Sequence, residues 1–168
     1  MKNCSERRCD IKLSQELCDS FCNQMASEMG NFYKYTTIQS YFENLQLKNL
    51  AKHFKSQADE EMSHYEKILD YINSRVDGQY HYIEVEQPEI KINSLDDVGR
   101  IYLETEQATT ESIEDIYGLA LESRSFIDLP FISELLSYQV LEERESEEFV
   151  KRLTSVSDII VFDLIMGS

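Results

Sequence analysis

Glutamate, histidine and glutamine side chains interrupt four apolar stripes of this sequence, each near the middle of its stripe. In chain order the interrupting residues are Glu28, Glu61, His64, Glu106, Gln139 and Glu142. Carboxylate oxygens and imidazole nitrogens are suited to iron or manganese, whereas thiolates suit zinc or copper better. If four helices of similar length pack in register, their midpoints form one layer, and these side chains meet inside the core.

A cluster of carboxylates is unfavourable in a core that holds no cation. Each buried carboxylate loses solvation worth several kcal/mol, and neighbouring carboxylates raise one another's pKa. A pair of divalent cations offsets both costs. Glu61 and His64 are three residues apart, so both can reach one cation from a single helical turn. The sequence therefore predicts a dinuclear metal site. The alternative is a purely structural bundle whose glutamates lie in water at the edge of the core.

Helices must position these residues, because apolar residues recur at three- and four-residue steps in four stretches. The predicted helices cover about residues 14–42 and about residues 45–76, with a third beginning at Ser94 and a fourth capped and opened by Asp128, Leu129 and Pro130. Ser94 with Asp97 resembles a capping box. The apolar segment at residues 157–166 predicts a short fifth helix.

The segment at residues 79–93 predicts an extended connection, because it mixes apolar and polar residues and contains Pro88. A helix of about 28 residues is about 42 Å long, and about 17 extended residues span about 55 Å. The connection can therefore run along the whole bundle, so that the second and third helices lie parallel. The predicted fold class is all-α: a four-helix bundle with a long crossover between helices two and three and a short C-terminal fifth helix.

Composition limits the partners of the chain. Its 168 residues fit one domain, which we place at residues 14–168 after an N-terminal extension at residues 1–13. A formal net charge of −16 argues against nucleic acid and anionic membrane partners. The first residues lack the apolar core of a signal peptide, and no segment is as long and apolar as a membrane span, so we expect a cytoplasmic protein.

All cysteines of the chain lie near its beginning, at Cys4, Cys9, Cys18 and Cys22. Cys18 and Cys22 are four residues apart and share one helix face. In a cytoplasmic protein the expected state is reduced thiols. A metal site or a redox pair is the alternative.

Several of these motifs resemble those of the bacterial non-haem ferritins, and the similarity covers about residues 14–166. The matching segments are residues 57–64 (QADEEMSH), Glu28 with Tyr35 seven residues later, Ser94 to Asp97 followed by Glu106 and Gln107, and Gln139 with Glu142. The resemblance implies a ferritin-like four-helix bundle that assembles as a homo-oligomeric cage of 24 subunits. It also implies ferroxidase activity, in which O2 or H2O2 oxidises Fe(II) and Fe(III) moves into a stored mineral.

The resemblance also implies a role for each site residue. Glu28, Glu61 and His64 would hold the first iron. Glu61 would bridge to the second iron, completed by Glu106 and Glu142. Gln139 would lie close to the second iron through a water molecule. Tyr35 either hydrogen-bonds near the irons and supplies an electron, or is an ordinary aromatic core residue.

The fourth helix of this sequence differs from that of two related families. Bacterioferritins and small di-iron peroxidases carry a second Glu-x-x-His on the fourth helix, where this chain has Gln139 to Glu142 without histidine. We therefore expect no haem and interpret Met62 as a packing residue. The alternatives are a non-storage di-iron redox enzyme of the peroxide-scavenging, rubrerythrin-like kind, and a helical interaction module without catalysis. We expect His53 and His81 to be exposed.

A third iron site, found in many bacterial non-haem ferritins, is expected to be weak or absent here. Its second-helix glutamate is present as Glu60, but the fourth-helix positions hold Tyr138 and Leu141. A phenol with a pKa near 10 is a poor ligand at neutral pH, and leucine offers none. A shift of the fourth-helix alignment by one turn would bring Glu143 or Glu145 to these positions.

Overall fold

The computed structural model describes residues 12–76 and 84–167, and these ranges contain five α-helices and no strand. The helices are α1 (Gln15–Asn44), α2 (Lys48–Arg75), α3 (Leu95–Glu122), α4 (Leu129–Ser155) and α5 (Ile159–Met166). The predicted fold class is confirmed. None of these helices is both long enough and apolar enough to cross a membrane.

The long connection and the N-terminal extension are described only in part. Residues 84–94 between α2 and α3 form neither helix nor strand, as predicted for the crossover. The first part of the predicted crossover, through residue 83, and nearly all of the predicted extension at residues 1–13 lie outside the described ranges. The domain boundary after residue 13 stays a prediction.

Side-chain caps fix where α1 and α3 begin. The Ser14 hydroxyl accepts a hydrogen bond from the backbone N–H of Leu17 at 3.2 Å. At α3 the predicted capping box is present. The Ser94 hydroxyl accepts from the N–H of Asp97 at 3.2 Å, and the Asp97 carboxylate accepts from the N–H of Ser94 at 3.1 Å. These bonds satisfy N–H groups that have no partner inside the helix.

Asp128 precedes α4 but does not cap it with its side chain, contrary to the sequence prediction. Its carboxylate is fully buried and accepts hydrogen bonds from the Tyr71 hydroxyl, the Ser125 hydroxyl and the Arg75 guanidinium, whose Nη2 is 2.8 Å away. A guanidinium and two hydroxyls therefore hold this carboxylate in place of the helix N–H groups. The contact ties the last turn of α2 to the turn between α3 and α4.

The bundle core consists of two apolar clusters with a polar layer between them. The first cluster includes Leu17, Phe21, Met25, Ile68, Ile72, Ile113, Ile132 and Leu135. The second includes Tyr35, Ile38, Phe42, Phe54, Tyr102, Phe149 and Phe162. Each helix of the bundle contributes to both clusters, so the residues midway along each helix are brought to the layer between them.

Candidate metal centre

The polar layer contains all six residues that interrupt the apolar stripes. Glu28, Glu61, Glu106 and Gln139 are at most 4% exposed. The His64 and Glu142 side chains are 12% and 14% exposed. The glutamates therefore do not lie in water at the edge of the core, as the purely structural bundle and the interaction module would require.

Three of these residues form a compact ligand group. Glu28, Glu61 and His64 each offer one ligand atom, and these atoms all lie within 4.8 Å of one another. Within the described ranges, Oε2 of Glu28 and Oε2 of Glu61 are buried without a hydrogen-bond partner. A buried carboxylate oxygen without a donor is unfavourable unless a cation lies beside it. Two carboxylates and an imidazole thus fit iron or manganese.

Of the other three residues, Glu142 contacts this group directly, and Glu106 and Gln139 contact each other. Oε1 of Glu142 lies 3.2 Å from Nε2 of His64. The Gln139 amide donates to Oε2 of Glu106 at 2.8 Å and also to the Glu106 backbone carbonyl at 3.2 Å. The Tyr35 hydroxyl donates to the remaining Oε1 of Glu106. Each Glu106 oxygen therefore accepts a hydrogen bond from a neutral donor, and the two bonds fix the orientation of that carboxyl group.

Burial and mutual repulsion shift the pKa of every glutamate in this layer for which a shift is resolved. Burial, and next the charge of Glu28, raise the pKa of Glu61 well above its usual value. Burial raises the pKa of Glu106 to about 7, against the hydrogen bonds from Tyr35 and Gln139. Burial, followed by the charges of Glu106 and Glu28, raises the pKa of Glu142 to about 8. Without a cation, the layer therefore holds protons at neutral pH.

Burial also determines the protonation of the two other titratable groups of the centre. It lowers the pKa of His64, which keeps the imidazole neutral and able to donate a lone pair to a metal. Burial, and next the charge of Glu106, raise the pKa of Tyr35, so this phenol stays a hydrogen-bond donor. Tyr35 also packs edge-on against Tyr102 with ring centroids 5.5 Å apart, so it is both a core residue and a partner of Glu106.

Sequence reasoning missed the residue that orients Glu28. The fully buried Gln24 amide donates to Oε1 of Glu28 at 2.7 Å, and the Ser112 hydroxyl donates to the Gln24 carbonyl oxygen at 2.5 Å. This chain of bonds leaves only Oε2 of Glu28 unpartnered within the described ranges. The sequence could have predicted this contact, because Gln24 is a polar residue four positions before Glu28, on the same helix face.

The residues named for a third site lie on the side of the layer formed by α2 and α4. Glu60 is half-buried, and its charge contributes to the raised pKa values of both Glu142 and Glu145. Tyr138 is 38% exposed beneath the Lys67 ammonium, which lies 3.7 Å from the ring centroid. The low occupancy of a third iron site stays a prediction.

Among the described residues, His53, Cys18 and Cys22 do not belong to the ligand group. His53 was predicted to be exposed, but its side chain is only 12% exposed and stacks on Phe149 with centroids 5.5 Å apart. Its aromatic neighbours in the second core cluster account for this burial. Cys18 and Cys22 are buried free thiols, and burial raises the pKa of Cys22 to about 11. His81, Cys4 and Cys9 lie outside the described ranges.

A helical bundle with carboxylates and histidine at its midpoint defines the class of protein, and comparison with known proteins specifies the family. The family model of the ferritin-like domain matches residues 20–156, so the chain belongs to this family. The bacterial non-heme ferritin of Staphylococcus aureus (strain USA300) is 27% identical over 146 residues, which is 87% of each chain. That of Staphylococcus epidermidis is 27% identical over 147 residues, again 87% of each chain. The predicted resemblance to this type of ferritin is confirmed.

Solved structures of similar fold include two from the archaeon Archaeoglobus fulgidus. Its open pore ferritin superimposes with a TM-score of 0.85 at 23% identity, over 92% of this chain and 96% of that chain. A closed form of that ferritin, made by site-directed mutagenesis, gives a TM-score of 0.86 with the same identity and coverage. These likenesses establish the arrangement of the helices.

Proposed function

We propose that this chain is the subunit of a cytoplasmic iron store with ferroxidase activity. Fe(II) would be oxidised to Fe(III) at a di-iron carboxylate site, and the product would be deposited inside a cage of identical subunits. The observation that carries the proposal is the buried group of Glu28, Glu61 and His64, in which two carboxylate oxygens lack partners within the described ranges. Membership of the ferritin-like family supports it, as do relatives named bacterial non-heme ferritins.

Each side chain then has a definite task toward Fe(II), which is the substrate. Glu28, Glu61 and His64 bind the first ion, and Glu61 bridges to a second ion held by Glu106 and Glu142. Cation binding displaces the protons that Glu106 and Glu142 hold at neutral pH. Gln139 and Tyr35 keep Glu106 oriented by hydrogen bonds.

The electron balance needs two Fe(II) ions for each oxidant molecule. Two Fe(II) ions supply two electrons, which with two protons reduce O2 to H2O2 or H2O2 to two water molecules. The carboxylates hold both ions close enough together to react with one oxidant.

Replacement of Glu61 tests the proposed site most directly. We expect Glu61→Ala to abolish rapid Fe(II) oxidation in air, because Glu61 would contact both ions, while the helices stay folded. Stopped-flow absorbance after Fe(II) addition measures the rate, and circular dichroism measures the fold. Glu66→Ala, on the exposed face of the same helix, is the matched control and should keep the wild-type rate. Fast oxidation by Glu61→Ala at the wild-type rate would show that the site is assigned wrongly.

A further inference from the structure

Lys34 lies beside the metal centre with its ammonium group held between two helices. It precedes Tyr35 on α1 and is half-buried. Its Nζ donates to Oδ1 of Asn31 at 3.0 Å and to Oγ1 of Thr105, on α3, at 3.3 Å. Asn31 and Thr105 are only 2% and 4% exposed. A lysine chain that could extend into water is thus directed into the bundle, at the height of the carboxylate layer.

The contact between α1 and α3 at this height is polar, and we call it the α1–α3 seam: Asn31, Lys34, Thr105 and Thr109. The Asn31 amide donates to the Thr109 hydroxyl at 3.0 Å, and that hydroxyl donates to the Thr105 backbone carbonyl at 3.0 Å. This contact is therefore formed by hydroxyl and amide oxygens, which a hard cation can contact, in place of apolar side chains.

The seam lies between a surface cavity and the metal centre. A cavity of about 350 Å³ is lined by Lys34 and Thr105 together with Arg100, Glu104 and residues 88–91 of the crossover. On the inner side, the charges of Lys34 and Glu106 act on each other: Lys34 opposes the rise in the pKa of Glu106. The carboxylates of Glu61 and Glu106 in turn oppose the lowering of the Lys34 pKa that burial causes. The ammonium is therefore electrostatically coupled to the ligands.

The opposite side of the layer carries charge of the other sign. We call it the α2–α4 face and define it by Glu60, His64, Glu142 and Glu145. Glu145 is 52% exposed, Glu60 is half-buried, and His64 and Glu142 are 12% and 14% exposed. A divalent cation is attracted by the Glu60 and Glu145 carboxylates of this face and, once its proton is displaced, by Glu142. At the α1–α3 seam it meets the Lys34 ammonium instead.

We propose that Lys34 is an electrostatic gate that closes the α1–α3 seam to divalent cations, so that they reach the centre through the α2–α4 face. The inference rests on the proposed function, since it takes Glu28, Glu61 and His64 as the cation ligands. Lys34 touches no ligand directly, so it acts as a specificity-determining residue that selects the route of entry.

Association of Co(II) tests the gate without any oxidation step. Co(II) is stable in air, and its visible absorption on binding can be followed by stopped flow. Because loss of the ammonium opens the seam, we expect Lys34→Gln to raise the association rate about tenfold at low ionic strength, with a smaller effect at high salt. Lys34→Arg keeps the charge and should keep the wild-type rate. Lys91→Gln removes a charge from the same cavity outside the seam and should change the rate by less than about twofold.

The α2–α4 face is tested in parallel. Glu145→Gln should slow Co(II) association in the wild-type background, because it removes attraction along the preferred route. Glu145 is absent from the ligand group, so the Co(II) spectrum at saturation should be unchanged.

The outcomes separate the gate from the function on which it rests. If Glu61→Ala leaves Co(II) binding intact, the metal site is wrong and the gate is overturned with it. If Glu61→Ala abolishes binding but Lys34→Gln associates at the wild-type rate, the gate is wrong and the proposed function stands. A Glu145→Gln variant that binds as fast as wild type would also overturn the route. Thermal melting of each variant shows that the bundle is folded.

Discussion

At the scale of single residues, the buried glutamates of the candidate metal centre hold protons at neutral pH when no cation is bound. The pKa of Glu106 is raised to about 7 and that of Glu142 to about 8, in both cases mainly by burial. In the unfolded chain these side chains release their protons near pH 4.3. Between the unfolded pKa and the raised pKa values of the folded protein, the folded protein binds more protons than the unfolded one. The stability of the metal-free protein therefore falls as pH rises in this interval. His64 contributes in the opposite direction only below the unfolded histidine pKa of about 6.5.

The fall in stability with rising pH leads to a prediction for the metal-free protein. In the presence of a chelator, Tm should fall between about pH 6.5 and about pH 8.5, because Glu142 must ionise in a buried and negatively charged site. Glu142→Gln removes that ionisation, so its Tm should fall less over the same interval. Glu122→Gln, at the exposed end of α3, should follow the wild-type slope. Differential scanning calorimetry at both pH values makes the comparison. A Tm that rises with pH, or equal slopes for Glu142→Gln and wild type, would contradict the prediction.

At the scale of elements, α2 depends on α5 for its N-terminal cap. Leu47 precedes α2 and has no side chain that could accept a hydrogen bond. Instead, Oδ1 of Asp163 accepts from the backbone N–H groups of Asn49 at 2.9 Å and Leu50 at 2.8 Å. A carboxylate at this position also interacts favourably with the helix dipole. The cap therefore holds the C-terminal helix against the beginning of α2.

Loss of this cap should destabilise the whole bundle. We expect Asp163→Ala to lower the free energy of unfolding by about 1–2 kcal/mol, the usual effect of losing an N-cap. Asp158 caps only α5, through the N–H of Ile160 at 2.8 Å, so Asp158→Ala should have a smaller effect. Urea unfolding followed by circular dichroism gives both values. An equal loss in the two variants would show that Asp163 acts only within α5.

Local pattern accounts for most of the fold and for the ligand layer, but not for contacts between distant elements. Helical periodicity located the four long helices, and the polar interruptions at Glu28, Glu61 and Glu106 marked the layer because each interrupts a local repeat. The Asp163 contact joins residues 113 positions apart, and no local repeat marks such a pair. The burial of His53 likewise depends on Phe149 of another helix.

The α1–α3 seam illustrates the same limit at the site itself. Lys34, Asn31 and Thr105 are polar residues of ordinary amphipathic helices, and their spacing alone is equally typical of a solvated face. Their inward direction depends on the rotation of α1 and α3 about their own axes, which is set by packing of the whole bundle. Their hydrogen bonds to one another became visible only in the folded structure.

At the scale of the whole molecule, α5 presents apolar side chains that the single chain leaves in water. The exposed fractions are 62% for Ile160, 46% for Val161, 65% for Leu164 and 41% for Ile165. Phe162 and Asp163, on the opposite side of the same helix, are buried against the bundle. An apolar face of this kind on a chain with a net charge of −16 is typical of a subunit interface. Association of subunits would remove it from water.

We therefore expect a large assembly in which α5 is buried. Two dozen copies of a 19.7 kDa chain give a particle of about half a megadalton. Leu164→Lys places a charge in the apolar face and should reduce the mass measured by light scattering, since an unpaired buried ammonium is strongly unfavourable. Leu164→Met keeps the face apolar and should assemble as wild type. Circular dichroism should show that the helices of Leu164→Lys persist, because Leu164 points away from the bundle. A wild-type protein that remains a monomer or dimer would contradict storage in a cage, while the di-iron site would stay a separate hypothesis.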